Sequence, residues 1–525
     1  MTGPRMNRDG ARKTVYLLLY ACVIACALWV RAGVAWKHSF PEGDEGPWLR
    51  MAARAFTADF LVSKVIEHDL YPKRVLPHPE DNRSPLFPLM IKAGTIFTKD
   101  YFTAGQLINI ILFTLMFIIF AIYIRSRFGD RIALISMIFI GVSPICIVNT
   151  SHIYNDVTVA FSFFFFLFCA ETIPRSRRNA LIAGVFLGLL FLLKTSAVFL
   201  LFPITASFFI HGINKKTGLN VLLFLASFLL LASPWLIRNI VVFGSPMYQF
   251  TGLTIFSDSV YEIFGVGNPK PGFSSYLQRH DIIFTIVLRP VIGFKNLLVQ
   301  IFTHDHHLSL VLLPLAVAGA WSLRRLGRFW LYVFLFSVPY AGLMSYVAYG
   351  FWVDRYCIVY YLLIYFCAAA GIEFISGLIK PPIVRFTTVA VLAALPMITV
   401  MRPLEFYVSP RGNEKELDRD ARAIVAEVRK TVPDTESVLS SLLSGYCFMH
   451  DVRTVNTLHF KTPEELGMLI ETYRIRYALL DVQKDNSILN LLNAQAGHSG
   501  LLKLTATGPF CLYRIAGPEP AKIGN

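Results

Sequence analysis

Long apolar runs alternate with short polar connections along most of the chain, and each run is of a length that suits a bilayer-crossing helix, which takes about 20 residues. The runs are Thr14–Trp36, Phe102–Ile124, Ile132–Val148, Val157–Thr172, Ala180–Leu193, Ala197–Ile210, Leu219–Trp235, Leu308–Leu323, Phe329–Ala348, Tyr356–Ile379 and Val384–Met401. They predict an α-helical polytopic membrane protein of about eleven transmembrane helices. The first run is long, is flanked by Arg31 and Trp36 and lacks a small-residue cleavage site. It reads as a retained helix rather than a removed signal.

Two further apolar stretches are too short to span. After Pro47 the apolar positions Leu49, Met51, Ala52, Ala55 and Phe56 recur at three and four, which predicts a short helix lying on the membrane surface. Leu86–Leu89, broken by Pro85 and Pro88, reads as a second interfacial helix. Beyond Leu404 the pattern changes to a helix over Glu414–Thr431, a strand over Glu436–Leu443, a helix over Pro463–Tyr473 and a strand over Tyr477–Val482. Strand alternating with helix predicts a small α/β layer, so the chain divides into a transmembrane part, 1–403, and a water-soluble part, 404–525.

Composition supports the membrane reading and charge orients it. Only 16% of the 525 residues are charged and 55% are hydrophobic, against about 25% charged in an ordinary globular protein. The net charge of +15 is not a nucleic-acid footprint, because the basic residues form tight clusters between apolar runs rather than a stripe interleaved with aromatics. Arg5/Arg8/Arg12/Lys13, Arg125/Arg127/Arg131, Arg175/Arg177/Arg178, Lys215/Lys216, Arg324/Arg325/Arg328 and Lys380/Arg385 fall at every second crossing. By the positive-inside rule these lie in the cytoplasm with the N-terminus, and an odd number of spans leaves the tail outside. The two long polar insertions, 37–101 and 238–307, then also lie outside, which puts the chemistry on that face. Most cysteines sit in apolar helices as small hydrophobes; Cys447 and Cys511 lie in the tail, where a bridge is permitted but not dictated by two residues.

Candidate chemistry collects at the same face. Glu42, Asp44 and Glu45 follow the first span directly and precede the first interfacial helix. Acids there stabilise a helix by about 0.3–1 kcal/mol, yet three acids in four positions beside a membrane exceed what a cap requires. Asp156, in Tyr154-Asn155-Asp156 before the fourth span, can cap, pair or catalyse. His304-Asp305-His306-His307 has the density to hold a divalent cation, or to be a solvated interfacial cluster. The spans themselves are nearly free of acids, which suits interfacial chemistry better than a transporter or flippase with polar groups at mid-bilayer.

These residues resemble the GT-C superfamily of membrane glycosyltransferases, in particular bacterial relatives of protein O-mannosyltransferases and of the lipid A aminoarabinose transferase. The resemblance rests on the order and placement of Asp44-Glu45, Arg83-Ser84-Pro85-Leu86, Asn155-Asp156, Lys194-Thr195-Ser196, Pro234-Trp235-Leu236-Ile237-Arg238-Asn239 with Phe243-Gly244-Ser245-Pro246, and Asp354-Arg355-Tyr356. It implies a sugar donor on a polyprenyl phosphate, transfer outside the cytoplasm at the plasma (inner) membrane, and a protein, glycolipid or glycan acceptor. Asp44 would match the general base, with Glu45 and Asp156 beside it. Arg83, Lys194, Arg238, Arg355 and Tyr356 would meet the lipid phosphate, with or without a divalent metal ion. A lipid-linked glycan polymerase or ligase would share this fold and donor. The sequence departs from the pattern at Gly46-Pro47-Trp48, where an aromatic Tyr is commoner, and at Ser84, where the first Pro of the element is expected.

Overall fold

The computed structural model describes residues 8–38, 41, 45–66, 76–80, 83–212, 214–248, 250–259, 262–263, 265, 272–303, 308–351, 353–394, 414–440, 452–456, 460, 462–496 and 501–515. The chain is mostly helical. α1 is Arg8–Lys37, α2 Glu45–Ala53, α3 Leu86–Gly94, α4 Tyr101–Phe128, α5 Asp130–Val142, α6 Pro144–Ser151, α7 Asp156–Cys169, α8 Arg177–Leu193, α9 Leu201–Ile210 and α10 Lys215–Phe243. α11 follows at Phe273–Arg279, then α12 at Arg289–Thr303, α13 at Leu308–Ser322, α14 at Gly327–Ala348, α15 at Ile358–Gly377 and α16 at Pro382–Ala394.

Among the described residues six helices are long and apolar enough to cross a membrane: Lys13–Lys37, Tyr101–Phe128, Lys215–Phe243, Phe284–Thr303, Gly327–Ala348 and Asp354–Gly377. α5 and α6 make a seventh candidate as a pair bent by 62°. The bend has a local cause. Ser143 is extended and its hydroxyl accepts from Cys146 N, while Pro144 occupies the first turn of α6, so a new helix starts there instead of the old one continuing. The remaining expected spans are shorter apolar helices: α7, α8, the stretch Thr195–Ile210, α13 and α16. The chain is thus a multi-pass helical membrane protein, with six full-length candidate spans and a bent seventh among the described residues where the sequence predicts about eleven.

One candidate span, Phe284–Thr303, falls inside the stretch that the sequence reads as an external loop. Arg289, Lys295 and Gln300 dilute its hydropathy, and the structure explains how it keeps an arginine. Arg289 is fully buried, ion-paired to Asp258 at 3.0 Å and donating to the carbonyls of Ser257, Thr254 and Tyr346 at 2.7, 3.4 and 3.1 Å. Asp258 also accepts from Tyr276 Oη and faces His280 Nε2, so a buried network closes the second long insertion onto the helices.

The interior is built from facing phenylalanines and from small residues that let helices touch. α4 and α7 meet through Phe113, Phe120, Phe161 and Phe164. α13 and α15 meet backbone to backbone: a Cβ on Gly319 would strike the Cys367 carbonyl, and one on Gly371 would strike that of Leu315. That reciprocal fit is the small-residue packing used where lipid removes the hydrophobic drive between helices.

Within the first long loop, Val62–Ser63 (β1) and His78–Pro79 (β3) pair as a short antiparallel ribbon. Outside the helical part lies a six-stranded sheet of order β2-β5-β4-β6-β8-β7, formed by Val65–Ile66 (β2), Ser437–Leu439 (β4), Thr454–Val455 (β5), Ile475–Asp481 (β6), Leu501–Thr507 (β7) and Phe510–Ile515 (β8). The strands from β2 to β6 in that order run parallel, and β6, β8 and β7 antiparallel. The helix Glu414–Thr431 covers one face with Ala421, Ile424, Val425 and Val428, a 3.6-period stripe. Pro463–Tyr473 and Asn486–Ala496 cover the other with Leu466, Leu469 and Leu492. Covered on both faces, β6 has a continuous apolar run at its centre, Tyr477–Leu480.

The edge strand β2 comes from the first long loop, an origin that no local pattern announces. It places the loop under the tail, with Thr454 N donating to Lys64 O at 3.0 Å and Arg453 to the Leu76 carbonyl. Cys511 is buried in β8, while Cys447 lies outside the described residues.

Candidate active site

Two side-chain amides on one face of α4 set the geometry. Gln106 Nε2 donates to the carbonyls of Ala35 and His38 at 3.1 and 3.2 Å, which ties down the exit of α1. One turn further on, Asn109 Nδ2 donates to the carbonyls of Asn149, Thr150 and His152 at 2.9, 3.3 and 2.6 Å and closes the end of α6. Gly105 lies beside them, and a Cβ there would meet the Ile153 side chain at 2.9 Å. α4 therefore presents His38 and His152 to one another, their rings 3.8 Å apart.

Glu45 completes this pair. It opens α2 and is fully buried, but its carboxylate is turned away from its own helix. Oε2 lies 2.7 Å from His38 Nε2, and Oε1 lies 2.8 Å from Ile153 N and 3.3 Å from His152 Nδ1. Burial pushes the carboxyl up, but the hydrogen bonds from His152 and His38 outweigh it and hold Glu45 at about 2. A carboxylate held so low is a weak proton acceptor. Asp44 lies outside the described residues, as does His304-Asp305-His306-His307.

The three side chains also offer a cation an imidazole, carboxylate, imidazole donor set, with ligand atoms within 4.8 Å of one another. The 2.7 Å separation of His38 and Glu45 is a hydrogen-bond length, whereas two ligands on one tetrahedral zinc at about 2.0–2.1 Å stand about 3.3 Å apart. The three groups are therefore set for hydrogen bonding, and a divalent ion would take the place of the proton between His38 and Glu45.

From His152 the site continues without a break. Its ring stacks on Tyr154 at 5.7 Å and 3°. The Arg355 guanidinium sits 5.1 Å over the Tyr154 ring and 5.3 Å over that of Tyr356, and its Nη2 approaches the Tyr356 hydroxyl at 3.4 Å. Lys194 Nζ lies 4.4 Å over the same Tyr356 ring and pairs with Asp156 Oδ1. Helix termini hold these groups: Lys194 ends α8, Asp156 is in the first turn of α7, and Asn155 Nδ2 donates to Leu193 O at 2.8 Å. Tyr340 Oη donates to the Tyr356 carbonyl at 2.9 Å.

Of the residues singled out from the sequence, Glu45, Asp156, Lys194, Arg355 and Tyr356 are thus brought into one chain of contacts. Arg83 and Arg238 gather elsewhere, at the strap formed by the first loop. Arg238 stacks over Trp235 and Phe243 at 4.9 and 5.0 Å and reaches the Leu61 carbonyl at 3.4 Å. That carbonyl also accepts from Glu80 N, and the Glu80 carboxylate is 3.3 Å from buried Arg83. Sequence reasoning missed His38, His152, Gln106 and Asn109. The available signal was the polar pair Gln106 and Asn109 within an otherwise apolar span, where such residues are costly and mark a site.

A family profile described as dolichyl-phosphate-mannose-protein mannosyltransferase matches residues 78–237, the stretch that carries Arg83, Asp156 and Lys194. Among solved structures, the chain is similar to the oligosaccharyltransferase of Archaeoglobus fulgidus in complex with Zn and sulfate. The TM-score there is 0.57 at 13% identity, covering 94% of this chain and 73% of that one. It is similar also to ArnT from Cupriavidus metallidurans bound to undecaprenyl phosphate, with a TM-score of 0.54 at 11% identity over 95% and 99% of the two chains. The apo form of the same ArnT matches over 98% and 100% at a TM-score of 0.54 and 11% identity. No curated protein sequence matches the chain.

The resemblance to the GT-C superfamily of membrane glycosyltransferases therefore holds, and the chain has the fold of that group.

Proposed function

We propose that this protein transfers a sugar from a polyprenyl-phosphate donor to an acceptor hydroxyl at the external face of the plasma membrane. The observation that carries the reading is the run of contacts from Glu45 through His152, Tyr154, Arg355 and Tyr356 to Lys194 and Asp156. It joins a carboxylate-bearing loop beside the first span to two cations and a phenol at the ends of other helices.

In the proposed step the acceptor oxygen attacks the anomeric carbon and its proton passes to Asp44. The bond from that carbon to the phosphate oxygen breaks with inversion, and the electron pair leaves on the polyprenyl phosphate. The growing negative charge is met by Lys194 and Arg355, with Tyr356 donating its hydroxyl. Cations fixed in place before reaction commonly account for a large share of an enzyme's rate enhancement. Asp156 aims Lys194. A divalent cation would be held by His38, Glu45 and His152, in place of the proton between His38 and Glu45. Arg83 and Arg238 hold the strap formed by the first loop, through Glu80 and the Leu61 carbonyl. The acceptor is a protein, glycolipid or other glycan hydroxyl.

The test is reconstitution of the full chain in liposomes with a polyprenyl-phosphate sugar labelled in the sugar. Release of polyprenyl phosphate together with label in a detergent-insoluble or lipid-free acceptor, lost in Lys194→Met, supports the reading. Labelled donor that merely changes leaflet, with its glycosidic bond intact, rules it out.

A further inference from the structure

The Glu45 carboxylate is held from three elements, and both of its oxygens are occupied. His38 comes from the exit of α1 and binds Oε2; the Ile153 amide and His152 come from the turn between α6 and α7 and bind Oε1. A buried carboxylate is costly unless fully paired. His38 Nε2 and the Ile153 amide are hydrogen-bonded to Glu45, and His152 Nδ1 stands 3.3 Å from Oε1 at ion-pair distance without hydrogen-bond geometry.

The two imidazoles use different nitrogens. His38 offers Nε2 and His152 offers Nδ1. The His152 ring runs parallel to that of Tyr154, offset with centroids 5.7 Å apart, and Tyr154 carries Arg355 over its ring at 5.1 Å. Charge held against a π-face follows the ring that carries it. Moving His152 therefore moves the surface on which Arg355 rests.

We propose that His38, Glu45 and His152 form a positioning triad, in which Glu45 fixes His152 and the His152 ring sets, through Tyr154, where Arg355 meets the phosphate of the lipid ligand. The triad also closes the chain on either side of the segment that contains Asp44, since His38 and Glu45 stand at its two ends. The inference rests on the reading of the site as one that takes a polyprenyl phosphate. It goes further in assigning to two histidines, neither of which touches the ligand, control of its affinity.

The distinct nitrogens make the triad separable by substitution. An asparagine amide reaches as far as Nδ1, so His152→Asn keeps a polar group facing Glu45, whose hydrogen bonds to His38 and the Ile153 amide stay in place, while the ring beside Tyr154 is lost. The experiment measures binding of undecaprenyl phosphate to the full chain in nanodiscs, for wild type, His152→Asn, Arg355→Ala and the double variant, with thermal unfolding alongside. We expect His152→Asn to unfold close to wild type and to weaken binding about tenfold, which corresponds to about 1.4 kcal/mol. In the Arg355→Ala background the same change should weaken binding by less than about twofold, because the two act along one path.

Equal affinity of wild type and His152→Asn overturns the proposal, and so does a loss that is fully additive with Arg355→Ala. Wild type that binds no undecaprenyl phosphate defeats the reading of the site itself, and the triad's role falls with it. Binding by wild type with indifferent variants defeats the triad alone.

Discussion

Replacing Lys194 by methionine separates the structural and chemical parts of the site. Lys194 ends α8 with its ammonium paired to Asp156 and resting 4.4 Å over Tyr356, and the Asp156 side chain is only 6% exposed. Methionine keeps most of the volume and removes the charge. A buried carboxylate that loses its partner costs about 3–5 kcal/mol, and the lost contact with the Tyr356 face adds about 1 kcal/mol. Lys194→Met should therefore lower the unfolding temperature of the purified protein by several degrees. Asp156→Asn in the same chain should restore most of that loss, because no charge then remains stranded. Sugar transfer should behave differently. If Lys194 meets the leaving phosphate, its removal costs about two to three orders of magnitude in rate, and Asp156→Asn cannot return it. Unfolding curves and initial transfer rates on wild type, the two single variants and the double variant decide the matter. A Lys194→Met protein as stable as wild type, or a double variant whose losses simply add, would refute the pairing. Transfer that recovers together with stability would refute the chemical role.

Glu45 should impose an acid limit on the protein. Its folded-state value of about 2 lies below the ordinary 4.5, so the stabilisation is complete above about pH 4.5 and is lost as pH falls towards 2. It is worth about 3 kcal/mol. Wild type and Glu45→Gln unfolded across pH 6 to 3 should converge towards the acid end, and parallel curves would contradict the assignment. Gly371→Val should prevent α13 and α15 from meeting, whereas Gly377→Ala, with open space around it, should be tolerated; equal accumulation of both in membranes would count against the packing. Asp258→Asn strands the fully buried Arg289 and should destabilise by about 3–5 kcal/mol, read as a lower unfolding temperature, and no shift would mean that the arginine has another counter-charge.

Much of this was legible in the sequence wherever a local period or charge dictates structure. Glu414–Thr431 and Pro463–Tyr473 occupy the positions their patterns predict, because each carries a stripe of apolar residues and, for the second, a Thr462 cap ahead of Pro463. Lys194 could be singled out because a cation inside an apolar run needs a partner, and its pairing with Asp156 is the kind of contact that need implies. What was not legible depends on distant contacts. Arg289 made Phe284–Thr303 look too polar to span, and the compensation by Asp258 and three carbonyls exists only in the folded chain. β2 is two residues long and acquires its strand character from a partner nearly 400 positions away. His38 and His152 are single residues in a loop and a turn, and contacts distant in sequence, from Gln106, Asn109 and Glu45, bring them together. Arg83 and Arg238 show the converse. Both read as phosphate ligands, and both are engaged at the strap beside Leu61 and Glu80.

The proposal that this chain transfers a sugar from a polyprenyl phosphate is tested most directly by comparing wild type with Asp44→Asn in membranes supplied with that donor, at matched expression and folding. Asparagine keeps the shape and cannot take the proton. A fall in transfer of about two orders of magnitude or more, the scale of general-base catalysis, is the predicted result, with donor binding retained. Transfer by Asp44→Asn at the wild-type rate would contradict it and leave Asp44 no more than a helix cap.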